Sequence, residues 1–244
     1  MLTDLRRDLI STKDVTEISN KPGSLSFGRE PVFFGGIFLE YKTIYEPAKD
    51  SFIEKKSEFI GHIAPVKTNE QAVEFINSIK AQHRKARHNV YAYILRDGNI
   101  SRYSDDGEPQ GTGGVPVLDV LQKEGLTDVC VVITRYFGGI LLGGGGLVRA
   151  YSHGCKLAVN ASRIMIMREC SELRIKCDYS FYGKLMYAVP EFDVRIKSEN
   201  FADDVSVVML VKSELAQALK EKLTDLSNGK VFIDETTNLW ADFA

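Results

Sequence analysis

Residues 129–151, VCVVITRYFGGILLGGGGLVRAY, decide how the rest of the chain is read. Val129 to Ile133 form a continuous β-branched and apolar run, the pattern of a buried strand, which ends at Thr134-Arg135. From Leu147 the apolar spacing changes to three or four, which predicts a helix running through Tyr151 to Ala161. Between them lie Tyr136, Phe137 and six glycines in the nine residues 138–146. Each glycine loses more backbone entropy on ordering than any other residue, so such a density needs a reason. Either main chain packs unusually close here, or the connector builds a site.

Working outward, the upstream chain supplies a first domain. Strand candidates lie in TIYEP and FIEKKSEFIGHIAPV, the firmer one at 59–66. Asn69 is placed to cap a helix whose face is Ala72, Val73, Phe75, Ile76 and Ile79. Residues 89–95 and 100–103 predict a hairpin about the Asp97-Gly98 turn. Pro116 then reads as the first residue of a short helix over 116–123, ended by Gly125. Downstream, the period changes near Glu169. Strand, helix, strand, strand, helix, strand follow in order, with Ser213 as the expected cap of the second helix; this is the β-α-β-β-α-β order of a ferredoxin-like domain.

The fold expectation is therefore α+β in two domains, 41–167 and 168–244. Residues 1–40, Gly/Pro/Ser-rich around Val32-Phe33-Phe34, are expected to be a loosely docked or poorly ordered extension. Residues 41–165 carry 16 Lys/Arg against 13 Asp/Glu, while 168–244 carry 10 against 14. Any polyanion contact thus belongs to the first domain, because the whole chain, at −2, is no general polyanion binder. An apolar fraction of 44% with 26% charged residues is that of an ordinary globular chain, with no run long enough for a membrane helix. Cys130, Cys155, Cys170 and Cys177 never form a CxxC pair and fall in apolar patterns, as structural thiols do. The expected location is the cytoplasm.

Three stretches could carry chemistry. The loop 104–114, SDDGEPQGTGG, crowds Asp105, Asp106 and Glu108 among Gly107, Gly111, Gly113 and Gly114. Carboxylates this close need a cation, a metal or solvent. The loop is read as an acidic turn, a recognition loop around Gly107, Gly111 and Thr112, or a Mg²⁺ site. In the second stretch, Arg135 with Tyr136 and Phe137 suits phosphate or a stacked base, and pairing with an acid of the 105–108 loop is the rival role. Gly138, Gly139, Gly145, Gly146 and Arg149 belong to the same surface, although no Rossmann or P-loop signature is present. The third, His83 to His88, contains Arg84, Lys85 and Arg87, the densest local cationic patch. It is either a polyanion contact or a solvated helix end.

Taken together, Ser104-Asp105-Asp106-Gly107-Glu108-Pro109, Gly111-Thr112, Arg135-Tyr136-Phe137-Gly138-Gly139-Ile140, Leu142-Gly143 and Gly145-Gly146-Leu147-Val148-Arg149-Ala150-Tyr151 closely resemble the YigZ/IMPACT family. His83, Ala86, His88, Asn89 and Tyr91-Ala92-Tyr93 fit its upstream motif. The resemblance covers roughly 41–244. It departs at Gly113, where alanine is usual, and at Val115, where a basic residue is common. It implies an N-terminal domain similar to domain IV of elongation factor G and a ferredoxin-like C-terminal domain similar to domain V. It also implies a link to translation regulation, without a settled biochemical activity for bacterial members.

The leading expectation is a non-catalytic, translation-associated module that contacts structured RNA, the ribosome or a regulatory protein and needs no cofactor. Its contacts would be Arg84, Lys85, Arg87, His88, Gly107, Gly111, Thr112, Arg135, Tyr136, Phe137, Gly138, Gly139, Gly145, Gly146 and Arg149. Two alternatives stand beside it. One is a Mg²⁺-assisted phosphoester or nucleotide hydrolase using His88, Asp105, Asp106, Glu108 and Arg135. The other is a purely protein-binding adaptor.

Overall fold

A strand placed between two helix layers has no exposed face, and β9 (Val129–Tyr136) is buried at every residue before its last. The computed structural model describes residues 40–243, preceded by the two-residue strands β1 (Thr16–Glu17), β2 (Phe33–Phe34) and β3 (Ile37–Phe38). The extension expected over 1–40 otherwise lies outside the described residues. The chain divides into two units, Tyr41–Met165 and Ile166 onward.

In the N-terminal unit the elements are β4 (Glu40–Ile44), β5 (Ala48–Glu54), β6 (Ser57–Pro65), α1 (Asn69–Gln82), β7 (His88–Leu95), β8 (Ile100–Ser104), α2 (Gly114–Glu124), β9 and α3 (Gly144–Ala161). The sheet runs β1-β8-β7-β9-β6-β5, with antiparallel pairs throughout. Strand alternation sends Val129, Val131 and Ile133, with Val90 and Ala92, into one core with α2 and α3. It sends Cys130 and Val132, with Tyr91 and Tyr93, into a second core with Ala72, Ile76 and Ile79 of α1. Both faces being covered explains the uninterrupted apolar run.

Several boundaries differ from the sequence expectation for local reasons. Thr68, not Asn69, caps α1: its hydroxyl accepts from Gln71 N–H at 3.3 Å, and Asn69 instead accepts from Tyr93 Oη at 2.6 Å. Helix α2 begins two residues before Pro116, within the first turn, where the missing amide costs no helical bond. Helix α3 begins at Gly144, so three of the glycines form its first turn instead of a loop.

The second unit is β10 (Ile164–Cys177), α4 (Tyr179–Ala188), β11 (Arg195–Phe201), β12 (Val205–Lys212), α5 (Ser213–Leu226) and β13 (Phe232–Asp242). The order β11-β12-β10-β13, with antiparallel neighbours, is the ferredoxin-like arrangement. Strand β12 alternates buried and half-buried residues, and Val205, Val207, Met209 and Val211 pack on Leu185 of α4 and Leu219 of α5. Lys212, the last residue of β12, occupies the cap position of α5, so Ser213 is already helical and does not cap it. All four cysteines are buried and free. Among the described residues no helix is long and apolar enough to cross a membrane.

Candidate functional site

Antiparallel pairing of β7 with β9 sets His88 opposite Arg135, which brings the ends of both strands to one edge of the N-terminal unit. The 104–114 loop leaves β8 beside β7, and the 137–143 loop leaves β9. The two glycine-rich loops therefore meet. Their junction is a buried ion pair: Arg135 Nη1 donates to Glu108 Oε1 at 2.6 Å, with both side chains under one-tenth exposed. Tyr151, from α3, donates its hydroxyl to the same oxygen at 2.7 Å. Burial, reinforced by the Glu108 carboxylate, pushes the Tyr151 hydroxyl far above its ordinary pKa, so it remains a donor. The Arg135 guanidinium lies over Phe59 and Phe137, at 5.5 and 5.6 Å from the ring centroids, and its Nε is buried without a partner.

The remaining acids of the loop are taken up separately. Asp105 accepts from the amides of Gly111, Gly113 and Gly114, each at 2.8 Å, so it ties the loop to the start of α2. Asp106 accepts from Lys80 Nζ and from the Asn89 amide, both at 2.6 Å. His88 Nδ1 meets the backbone carbonyl of Asp106 at 2.9 Å, not a carboxylate. Thus the three carboxylates do not converge on one point, and His88 is not paired with either aspartate side chain. Among the described residues no group of three His, Cys, Asp or Glu side chains is placed to share a metal ion.

The glycines divide by cause. A Cβ on Gly138 would lie 1.9 Å from the Lys56 carbonyl, because the β5–β6 hairpin tip rests on it. Gly107 lies against the His88 ring and takes a positive φ, as Gly111 and Gly139 also do. A Cβ on Gly113 would meet both Val90 methyls at about 3 Å, so the close approach of Val90 favours glycine there. Gly146 sits against Leu142. Thr112 closes its own turn by donating to the Pro109 carbonyl at 2.6 Å.

Alternation along β9 separates the aromatic pair expected beside Arg135. Phe137 stays with it, whereas Tyr136 turns toward α1 and shares a 2.9 Å hydrogen bond with His83 Nδ1. Arg84, Lys85, Arg87 and Arg149 are exposed, and among the described residues none has a carboxylate within 4 Å. Lys80 and Leu141 were not singled out from the sequence, and Tyr151 was named only within the helix and the family motif. Lys80 reaches Asp106 across 26 positions, a separation that no local pattern announces. Arg87, His88, Arg135, Phe137, Leu141 and Gly144 contribute to the wall of a cavity of about 360 Å³ at the start of α3.

Comparison with known proteins matches the Impact N-terminal domain model to residues 55–159, and a domain of unknown function (DUF1949) to residues 175–230. The IMPACT family member YvyE of Bacillus subtilis (strain 168) is 38% identical over 196 residues, covering 80% of this chain and 90% of that protein. The family member YigZ of Escherichia coli (strain K12) is 32% identical over 180 residues, covering 72% and 88%. A Dictyostelium discoideum protein IMPACT homolog is 37% identical over 115 residues, which is 46% of this chain and 31% of that one. A crystal structure of an hypothetical protein superposes with a TM-score of 0.54 at 30% identity, covering 81% of this chain and 97% of its own.

Proposed function

The chain belongs to the IMPACT family, and from that premise we propose that its N-terminal unit is a cytoplasmic, translation-associated binding module that contacts structured RNA, including that of the ribosome, without a cofactor. One observation carries this reading. Arg84, Lys85, Arg87 and Arg149 are exposed on the mildly basic unit with no acidic partner within 4 Å among the described residues, whereas Asp105, Asp106 and Glu108 are all engaged internally. Unpaired cations retain their full attraction for phosphate, and acids already held by internal donors oppose it least. The link to translation comes from the family resemblance. The hydrolase alternative finds no support in carboxylates that each satisfy a different part of the fold.

The test is binding of ribosomal particles and of a structured RNA across a salt series. With about four phosphate contacts, affinity should fall roughly 10²-fold between 50 and 200 mM salt. Arg84→Glu/Lys85→Glu should weaken binding and flatten the salt slope by about one unit per lost contact. Absence of binding to either probe at low salt refutes the reading, and a pull-down that survives nuclease treatment favours a protein partner instead.

A further inference from the structure

The tip of the β5–β6 hairpin carries two further lysines in a costly conformation. Lys55 and Lys56 form its two-residue turn, with φ of 45° and 65°. Positive φ at both central positions is what a tight hairpin requires, and Asn-Gly is the ordinary occupant. Two lysines there accept a conformational penalty that asparagine and glycine largely avoid. Their side chains gain nothing from the fold in exchange. Both are exposed, and among the described residues neither has a carboxylate within 4 Å, although Glu54 and Glu58 flank the turn.

The turn is also held in one place. The Gly138 amide donates to the buried Ser57 hydroxyl at 3.2 Å, and the Lys56 carbonyl occupies the space that a Cβ on Gly138 would need. Glu58 pairs opposite Tyr136 and His88 opposite Arg135, so the start of β6, the end of β9 and the start of β7 share one end of the sheet. The strand order there is β7-β9-β6. The flanking residues follow that order: Arg84, Lys85 and Arg87 before β7, Phe137 after β9, and Lys55 and Lys56 before β6. The strands that carry the two cationic elements are thus about 10 Å apart. Phe137 stands in the gap, 45% exposed, with the Arg135 guanidinium 5.6 Å from its ring centroid.

Cations on both sides of an exposed aromatic ring suit an unpaired polynucleotide strand, whose phosphates meet the charges while a base stacks on the ring. A continuous duplex offers phosphates but keeps its base faces stacked on one another. We propose that Lys55 and Lys56 are a second phosphate-contacting element, added to the four cations already named. Between this turn and the 84–87 stretch the unit holds an unpaired segment of RNA, with one base on Phe137. This rests on the RNA-binding reading above and specifies the kind of RNA that is bound.

Fluorescence anisotropy of the full chain over a salt series tests this, with a stem-loop RNA and a blunt duplex RNA of equal nucleotide number. The stem-loop should bind more tightly by about the tenfold that one stacked base is worth. Lys55→Asn/Lys56→Gly keeps the turn geometry and should raise the melting temperature. The same variant should weaken stem-loop binding tenfold or more and flatten log K against log salt by about 1.4, at about 0.7 per lost contact on a single strand. Phe137→Ala should weaken the stem-loop about tenfold, with the salt slope and the duplex affinity unchanged.

An unchanged salt slope in Lys55→Asn/Lys56→Gly, or equal loss of both RNAs in Phe137→Ala, overturns the proposal. So does a lower melting temperature in the turn variant, since the fold itself would then require the lysines. In each of these cases the RNA-binding reading stands if Arg84→Glu/Lys85→Glu still weakens binding. Failure of the unaltered chain to bind either RNA at low salt refutes that reading, and this one with it.

Discussion

Glu108→Gln removes a charge while keeping the shape, and so asks whether the Arg135 pair is the lock between the two glycine-rich loops. The Arg135 and Glu108 side chains are 6% and 4% exposed, 2.6 Å apart, with Tyr151 on the same carboxylate oxygen. Removing one member of such a pair leaves the other charge buried and uncompensated, at a cost of about 3–5 kcal/mol. Glutamine still accepts from Tyr151, which places the expected loss near the lower end, about 3 kcal/mol. For a unit of this size that lowers the melting temperature by about 10 °C. Thermal and urea unfolding followed by circular dichroism measures it. A cycle with Arg135→Met and the double variant isolates the pair, and the expected coupling is about 2 kcal/mol or more. Single variants that each lose less than about 1 kcal/mol and add in the double would refute the lock.

Other expectations follow from neighbouring groups. Burial, with His83 and Lys49 nearby, pushes His62 down to about 4. The folded chain therefore refuses a proton that the unfolded chain accepts below about pH 6.5, and stability should fall by about 2 kcal/mol from pH 7 to pH 5 on this account. His62→Phe should flatten that part of a stability–pH curve, and an unchanged slope speaks against it. Asp105→Ala strands the amides of Gly111 in the loop and of Gly113 and Gly114 at the start of α2, and should cost about 2 kcal/mol by urea unfolding. Gly138→Ala drives a methyl into the Lys56 carbonyl, so denaturation should show a loss of several kcal/mol or failure to fold, about the level of other severe steric substitutions. Gly144→Ala and Gly145→Ala should each raise stability, by up to about 1 kcal/mol.

The strand–glycine–helix reading of 129–151 was legible because both periods are long and the β9 sheet has two covered faces. The hairpin 88–104 and the β-α-β-β-α-β order were legible for the same reason, since hydrophobic alternation survives without tertiary knowledge. The two-residue turn at Lys55-Lys56 was not. Both lysines take positive φ, a conformation usually signalled by glycine or asparagine, so the EKKS stretch gave no sign of it. The cap at Thr68 was missed because Asn69, one residue on, is an equally suitable cap, and the start of α5 was missed because Lys212 has no capping side chain whereas Ser213 does. Within the site, Arg135 as the centre and its rival role as partner to the 105–108 loop were both readable. What could not be read was which acid it takes. Glu108 is chosen because Asp105 is consumed by three backbone amides and Asp106 by Lys80, and none of those distances appears in the order of residues.

The glycines show where fold requirements end and site requirements begin. Gly138 is fixed by a carbonyl where its Cβ would sit, Gly146 by Leu142, and Gly139 and Gly143 by backbone direction. These four are accounted for by the architecture alone. Gly144 and Gly145 are not, because helical backbone with open space around it is where alanine is the better residue. A chain that accepts this loss at the head of an 18-residue helix carries a local cost that packing around the two positions does not explain. If alanine at both positions left stability unchanged or lowered it, that argument would fail.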